Sequence, residues 1–343
     1  MILVTGATGL IGRSLVRQLV QREGRSNILC LAYNQDSALE REGRKILRDL
    51  GLAFLEVDLS SGEGLDKIPK SPDKIFHLAS ITDTSVQDHS INDAGTRNLL
   101  EAVMPLSPDA HWIFTSSIAV TDNRPDLSVP ADETLLDPPR PSHKYGQTKR
   151  AAELYIMQKA REMGFRLSIV RVCGVYGEGV RAGGLFDSIK KLVGKGAYYT
   201  RLNWPGKISV IFVEDMARFL VRVSDQPPVS GQCELYVPSA EALTVEDMSQ
   251  IIHQAYGLPY KGTRLPAFVW KVISYLAVNK QWFEKILPHK LYNKFWQLCI
   301  LVNNEFWCRS SKIDRILPAG ERTGFQQYYS QLTEKYFKES VMK

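Results

Sequence analysis

Met1-Ile2-Leu3-Val4-Thr5-Gly6-Ala7-Thr8-Gly9-Leu10-Ile11-Gly12 opens the chain and commits it to one architecture. A short apolar run is broken by glycines, and Leu15, Leu19 and Val20 follow at helical spacing. The pattern predicts a strand, a tight turn and a helix. Gly6 permits the turn, Gly9 lets backbone N–H groups approach a pyrophosphate, and Gly12 lets the helix pack close to the strand. Phosphates would meet the positive end of that helix.

Beyond this start, strand-like runs at 2–5, 27–32, 53–57, 74–78, 111–115 and 167–172 alternate with helical patterns at 10–22, 92–103 and 145–163. Such alternation implies right-handed crossovers and a doubly wound parallel sheet covered on both faces. Ligands of such sheets lie beyond the C-terminal strand ends, where Gly6, His77 and Ser117 fall. Residues 122–141 read as a loop rich in Pro and Asp. After Gly174 the pattern loosens: 183–195 reads as helix, 207–213 as strand and 214–224 as helix. The expected division is a dinucleotide-binding domain of 1–174, rejoined by about 207–224, and a smaller, mostly helical substrate domain of 175–206 and 225–343.

A second constellation is Tyr145-Gly146-Gln147-Thr148-Lys149, downstream of a strand ending Ile113-Phe114-Thr115-Ser116-Ser117. Residues four apart on a helix share a face, so the Lys149 ammonium is expected beside the Tyr145 phenol. A free phenol titrates near ~10 and is a poor base at neutral pH; a neighbouring cation favours phenolate and pulls that value down. His77, at the end of a buried strand, reads as a satisfied structural histidine, and Arg171 as a structural ion-pair or turn residue.

Composition is that of an ordinary globular protein, 44% apolar and 23% charged over 343 residues. The immediate entry into a strand predicts no secretory leader, and no run of about 18 uncharged apolar residues predicts a spanning helix. Cys30, Cys173, Cys233, Cys299 and Cys308 lack metal-ligand spacing; reduced thiols, a cytoplasmic location and no metal are expected. The net charge of +6 is uneven: from Pro259 onward 14 Lys and Arg face 6 Asp and Glu, about +8, leaving the rest slightly acidic. A basic part confined to the C-terminal segments, rich in Trp, Tyr and Phe, points away from nucleic acid and toward an anionic substrate, an acidic carrier or a membrane surface.

In chain order these motifs resemble the extended short-chain dehydrogenase/reductase superfamily, the NAD-dependent epimerase/dehydratase type. Beside the glycine turn, Val57-Asp58-Leu59 resembles the adenine-contacting element and His77-Leu78-Ala79-Ser80 the stretch along the cofactor ribose. Asn92-Asp93-Ala94-Gly95-Thr96-Arg97-Asn98 resembles the following helix, Arg171-Val172-Cys173-Gly174-Val175-Tyr176-Gly177 the turn beside the nicotinamide, and Phe212-Val213-Glu214-Asp215-Met216-Ala217 a later element. Ser117, Tyr145 and Lys149 fall on the catalytic triad. The resemblance implies a Rossmann-type fold and a dinucleotide held by Gly6, Thr8, Gly9, Leu10, Ile11, Gly12, Arg13, Tyr33, Asp58, Leu59, Leu78, Ala79, Ser80, Thr115, Tyr145, Lys149, Val172 and Val175. It places the substrate against Thr82, Ser117 and Tyr145. It also implies a homodimer.

Departures from the pattern narrow the chemistry. Thr115-Ser116-Ser117-Ile118-Ala119 lacks the acidic neighbour of dehydratases and decarboxylases, and Lys207-Ile208-Ser209-Val210 lacks the Arg that meets a sugar-nucleotide diphosphate. Leu265-Pro266-Ala267-Phe268-Val269-Trp270 and Asn304-Glu305-Phe306-Trp307 resemble the 3β-hydroxysteroid dehydrogenase and dihydroflavonol reductase side. The expectation is a hydride exchange with a secondary alcohol or ketone of a bulky apolar or acyl-type substrate. A nucleotide-sugar epimerase or 4-keto reductase is the alternative, then a non-catalytic nucleotide-sensing module. The second strand ends neutrally at Tyr33-Asn34-Gln35 with Asp36 late, and Arg13, Arg41, Arg44 and Lys45 could meet a 2′-phosphate, so NADP(H) is favoured with NAD(H) possible. Pro266, Phe268, Trp270, Tyr275 and Trp282 are expected to line a helical lid over the pocket, edged by Lys271, Lys280, Lys285, Lys290 and Lys294, with peripheral membrane contact through this part.

Overall fold

The computed structural model describes residues 1–332. The first half alternates strand and helix except between β3 and β4, which are joined by a short 3-10 turn: β1 (Ile2–Thr5), α1 (Leu10–Glu23), β2 (Ile28–Tyr33), α2 (Ala38–Asp49), β3 (Ala53–Val57), β4 (Lys74–His77), α3 (Ser90–Val103), β5 (His111–Ser117), α4 (Lys144–Met163) and β6 (Arg166–Val172). β7 (Gly174–Tyr176), α5 (Leu185–Gly194), β8 (Ile208–Phe212), α6 (Val213–Val223), β9 (Cys233–Tyr236), β10 (Glu241–Leu243) and α7 (Val245–Ala255) follow. The chain then turns helical, with α8 (Ala267–Val278), α9 (Lys280–Ile286), α10 (His289–Val302) and the short α11 (Ile313–Ile316).

Seven strands form one parallel sheet in the order β3-β2-β1-β4-β5-β6-β9. β1 has β2 on one side and β4 on the other, so the strand order reverses at β1 and opens a crevice at its C-terminal end. The register aligns Thr5 with His77 and His77 with Phe114, which brings the ends of β1, β4 and β5 to one edge of the sheet. Burial follows the apolar pattern: all four residues of β1 and all seven of β5 are buried, as expected of strands covered on both faces. α1 turns Leu15, Val16 and Leu19 inward and packs beside α6.

A second, three-stranded sheet has the order β10-β8-β7, with β7 and β8 parallel and β10 antiparallel to β8. It belongs to a separate core built from Tyr176, Phe186, Ile189, Ile208, Val210, Met248, Tyr292, Trp296 and Phe325, among others. β9 corrects the expected division of the chain. It lies within 225–343, assigned above to the substrate domain, yet pairs with β6 as the seventh strand of the large sheet. Cys308, Ile313, Ile316 and Leu317 likewise return to the core of the large sheet.

Candidate active site

The glycine turn is as tight as its sequence requires. Gly6 has φ +65°, and a Cβ there would lie 2.7 Å from the Ala79 nitrogen. A Cβ on Gly12 would lie 2.1 Å from the Gly6 carbonyl oxygen, so only glycine lets α1 approach the turn this closely. Gly9 N-caps α1 with no side-chain cap, leaving the first N–H groups of the helix without an intrahelical partner. Gly9 donates to the Gly6 carbonyl at 3.0 Å. This uncapped, glycine-lined helix start fits a dinucleotide pyrophosphate.

The end of β4 is pinned to the same turn. Thr5 Oγ1 accepts from the Leu78 and Ala79 N–H groups, both at 3.1 Å, and lies 2.7 Å from His77 Nδ1. His77 Nε2 meets Thr96 Oγ1 at 2.9 Å, and Thr96 donates to the Asn92 carbonyl at 2.8 Å. Both ring nitrogens are therefore satisfied, and burial pushes the imidazole down to about 3. His77 is a neutral structural residue. Asn92 Oδ1 accepts from Ser80 Oγ (2.9 Å) and the Ile81 N–H (3.1 Å), while its amide donates to Thr148 Oγ1 on α4 at 3.2 Å. One buried side chain thus ties the 80–81 segment to the helix that carries Tyr145 and Lys149.

Ser117, Tyr145 and Lys149 meet where β5 ends and α4 begins. Ser117 Oγ accepts from the Ala119 N–H at 3.2 Å. Tyr145 is buried, and desolvation holds its phenol above the ordinary tyrosine value, although the Ser117 and Ser80 hydroxyls beside it pull the other way. Lys149 Nζ donates to the Thr115 carbonyl at 2.9 Å and lies 5.0 Å from the centre of the Phe114 ring. Burial lowers Lys149 to about 7, with Glu153 opposing. The expectation that Lys149 alone brings the phenol into the working range is thereby modified. In the free protein, removal from water is the largest influence on both groups, opposed at Tyr145 by the two serine hydroxyls and at Lys149 by the Glu153 charge.

Beneath this set lies a buried ion cluster. Glu153 accepts from Arg171 Nε (2.9 Å), Arg171 Nη2 (2.8 Å) and Arg150 Nη1 (2.9 Å), and these guanidiniums hold its carboxyl below the usual range despite its burial. Arg171 is a structural ion-pair residue. Asp122, another buried carboxylate near the β5 end, accepts from the Ser142 N–H (2.9 Å), from Ser142 Oγ and from Trp296 Nε1 (2.8 Å).

The remaining expected contacts distribute unevenly. Thr115 Oγ1 donates to the His77 carbonyl at 3.1 Å, and the Leu59 carbonyl accepts from Asn98 at 2.7 Å. Asp58 Oδ1 accepts from the Ser60 N–H at 2.8 Å, shaping the turn after β3. Val172 and Val175 pack on the main core, whereas Tyr33 and Thr82 are exposed. Arg13 is buried, with Nη1 on Glu42 at 2.8 Å and Nη2 on the Gly179 carbonyl at 3.5 Å. In this position it ties α1 to the loop after β7. Arg41 pairs with Asp36 at 2.9 Å, and Arg44 is engaged by Glu56 (3.2 Å) and the Tyr33 carbonyl (3.1 Å). Glu40, which the sequence did not single out, accepts from Thr8 Oγ1 at 2.9 Å, and its Oε2 is buried without a hydrogen-bond partner.

α9 and α10 cover the segments that flank Tyr145. His143 caps α4 by accepting from the Tyr145 N–H at 3.2 Å, and its ring centre lies 4.4 Å from that of Trp296. Tyr292 OH donates to the Ser142 carbonyl at 2.5 Å, Lys280 Nζ donates to the Asp122 carbonyl at 2.7 Å, and Gln147 donates to Glu284 at 2.9 Å. On the other flank His289 Nε2 lies 3.2 Å from the Ser85 carbonyl and Gln297 donates to Thr84 at 3.3 Å. The lid expectation is corrected in detail. Trp270 is buried against Trp204, Phe268, Tyr275 and Trp282 are exposed, and Tyr292 and Trp296 of α10 pack on His143, while the ring beside Tyr145 is that of His89. Histidine is not a usual cap, so nothing in the sequence marked His143.

Residues 2–237 match the model of the NAD dependent epimerase/dehydratase family. A UDP-glucose 4-epimerase of Vibrio cholerae is 26% identical over 278 residues, 78% of this chain and 79% of that protein. A ceramide reductase of Caulobacter vibrioides is 27% identical over 266 residues, 77% and 73% of the two chains. The crystal structure of a mutant UDP-glucuronic acid 4-epimerase from Bacillus cereus, with NAD and a fluorinated UDP-sugar, superposes with a TM-score of 0.73 at 18% identity, covering 98% of this chain and 99% of that one. With the glycine turn, the reversed strand order and the family match in agreement, this chain belongs to the NAD dependent epimerase/dehydratase family, within the extended short-chain dehydrogenase/reductase superfamily.

Proposed function

We propose that the protein exchanges a hydride between a nicotinamide dinucleotide and a secondary alcohol or ketone of a bulky apolar or acyl-type substrate. The observation that carries this reading is the buried set of Tyr145 flanked by Ser117 and Ser80, with Lys149 one helical turn on. Tyr145 holds the proton that passes to or from the substrate oxygen. Ser117 donates a hydrogen bond to that oxygen as charge develops on it, and a protonated Lys149 favours phenolate when the phenol acts as base. Positioned acid–base help of this kind contributes about 10²–10⁴-fold. The dinucleotide, when bound, supplies or accepts the hydride. Its pyrophosphate would be held by Gly6, Gly9 and Gly12, and its riboses by the 78–80 segment and Lys149.

Two observations support this reading, one against water elimination and one against a diphosphate anchor at Ser209. Asp122 and Glu153, two buried carboxylates near the β5 end, are committed to Ser142 and Trp296 and to the two guanidiniums, so neither is free to drive elimination. Ser209 is locked between the Cys308 carbonyl (2.8 Å) and the Cys308 N–H (2.9 Å), leaving no diphosphate anchor at that position. Similarity to a ceramide reductase supports an acyl-type substrate. For the cofactor we favour NAD(H) over the NADP(H) expected from sequence: Arg13, Arg41 and Arg44 are already paired with acidic partners, and Glu40 brings an unpartnered carboxylate oxygen to the glycine turn. Fluorescence titration of the free protein tests this. NADH should bind at least as tightly as NADPH, and tenfold tighter NADPH binding would return the choice to NADP(H).

The reaction is tested with a panel of long-chain keto and hydroxy compounds and with UDP-glucose. Stoichiometric change of the nicotinamide with a member of the first set is expected. Epimerisation of UDP-glucose with no net cofactor change would overturn the proposal.

A further inference from the structure

α8 turns an apolar stripe outward. Its inner side buries Trp270 and Ala277. Phe268, Val272, Tyr275 and Leu276 recur at i, i+4, i+7 and i+8 and so share one face, and all four are exposed, Phe268 at 67% and Tyr275 at 72%. Trp282 (59%) and Ile286 on α9 and Leu291 at the start of α10 are exposed as well. Isolated exposed apolar residues are common, but a sequence of them along consecutive helices marks an interaction surface.

The charge around this surface has one sign. Arg264, Lys271, Lys285, Lys290 and Lys294, on the same stretch of chain, are exposed. Glu284 is the single acidic residue between positions 261 and 300, and it is engaged by Arg140 at 3.2 Å and Gln147 at 2.9 Å. Lys280 is withdrawn from the rim, buried on Glu305 at 2.8 Å.

We propose that α8, α9 and the start of α10 form a docking face for an anionic lipid bilayer. The helices lie in the plane of the interface, the aromatic and aliphatic side chains sit among the headgroups, and the basic rim meets lipid phosphates. The charge argues for lipid over a second copy of this chain, because a symmetric contact would set the same lysines against one another. Among the described residues no helix is long and apolar enough to cross a membrane, so this face would lie on the bilayer surface. The same helices reach the active site through Glu284 to Gln147 and Tyr292 to Ser142. This deepens the apolar-substrate reading by giving its source, but the surface stands without it.

The test is flotation of the full chain with phosphatidylcholine vesicles, with and without about one third phosphatidylglycerol, followed by salt. Wild type should float with the anionic vesicles and be released by high salt. Combined Phe268→Ser, Tyr275→Ser and Trp282→Ser should weaken binding at least about tenfold with thermal midpoint and dinucleotide affinity retained. Combined Lys271→Gln and Lys285→Gln should weaken it roughly thirtyfold, from the roughly 1 kcal/mol that each basic residue contributes near an anionic surface. No flotation, binding indifferent to lipid charge, or a wild-type dimer that the triple variant converts to monomer would overturn the proposal. None of these readouts uses substrate, so failure of the catalytic reading leaves them unaffected.

Discussion

Glu153→Gln isolates the buried cluster under the active site. The carboxylate accepts three charge-assisted hydrogen bonds, two from Arg171 and one from Arg150. Arg171 and Glu153 are both almost fully buried. Breaking a buried ion pair from one side costs about 3–5 kcal/mol, because the remaining charge stays out of water. The glutamine retains one carbonyl acceptor, Arg171 keeps the Leu135 and Leu136 carbonyls, and Arg150 keeps Asp137. These residual partners place the expected loss near the lower bound, about 3 kcal/mol. At about 2 °C per kcal/mol for a chain of this size, the thermal midpoint should fall by about 6 °C. Thermal unfolding followed by circular dichroism, with urea unfolding as a check, measures it. Replacing Glu153 and Arg171 together by Leu and Met should recover part of the loss relative to Glu153→Leu alone. A Glu153→Gln midpoint within about 1 °C of wild type would refute the reasoning, since it would mean that the guanidiniums are solvated.

Further outcomes follow from single features. Gly12→Ala would set a Cβ 2.1 Å from the Gly6 carbonyl oxygen and 2.8 Å from Ala7 Cα, both backbone, so α1 must move; dinucleotide affinity should fall at least about 100-fold, a loss of about 2.7 kcal/mol. Wild-type affinity would disprove the close packing. Stability should fall below pH 6.5. His77 and His143 are held at about 3 and His111 at about 4 by burial, so each stays neutral in the fold while the unfolded chain takes up a proton. Each then removes up to about 1.4 kcal/mol per pH unit. Glu305, raised to about 7 by burial, works in the opposite sense between about 7 and the ordinary glutamate range and offsets one histidine. Urea midpoints at pH 7.5 and 5.5 measure the balance, and an equal or higher midpoint at pH 5.5 would contradict it.

The nucleotide-binding half was legible because its signals are periodic and its turns require glycine. β1 and β3 match the sequence reading to the residue, and α1, α3 and α4 begin within two residues of it. Every motif in this half also sits at a strand end or helix start, where backbone geometry leaves few choices. β7, β9 and β10 were missed because they are short and only partly buried, without the continuous apolar run that marks the equally short β1. β9 counts most, since it carries part of the second half of the chain back into the large sheet.

Side-chain direction was the weaker inference. The apolar spacing of α8 marks a stripe but not which side of the helix faces the protein, and Phe268 and Tyr275 face outward. The spacing of Arg13 from the glycine turn left its partner open, and the structure supplies Glu42. Desolvation was invisible as well. A Tyr-x-x-x-Lys pair implies a lowered phenol pKa, but only the fold shows that both groups are buried and that burial acts first. Trp296 joins Asp122, Ser142 and His143 from more than 150 residues along the chain, through contacts that no local pattern encodes.

The decisive assignment is that the Tyr145 hydroxyl exchanges the proton while the rest of the site holds the dinucleotide. It is tested by single-turnover hydride transfer in Tyr145→Phe, read from the reduced-nicotinamide absorbance, alongside cofactor titration of the same variant. Transfer should slow by at least about 10²-fold, with dinucleotide affinity close to wild type. Transfer at the wild-type rate would contradict the assignment.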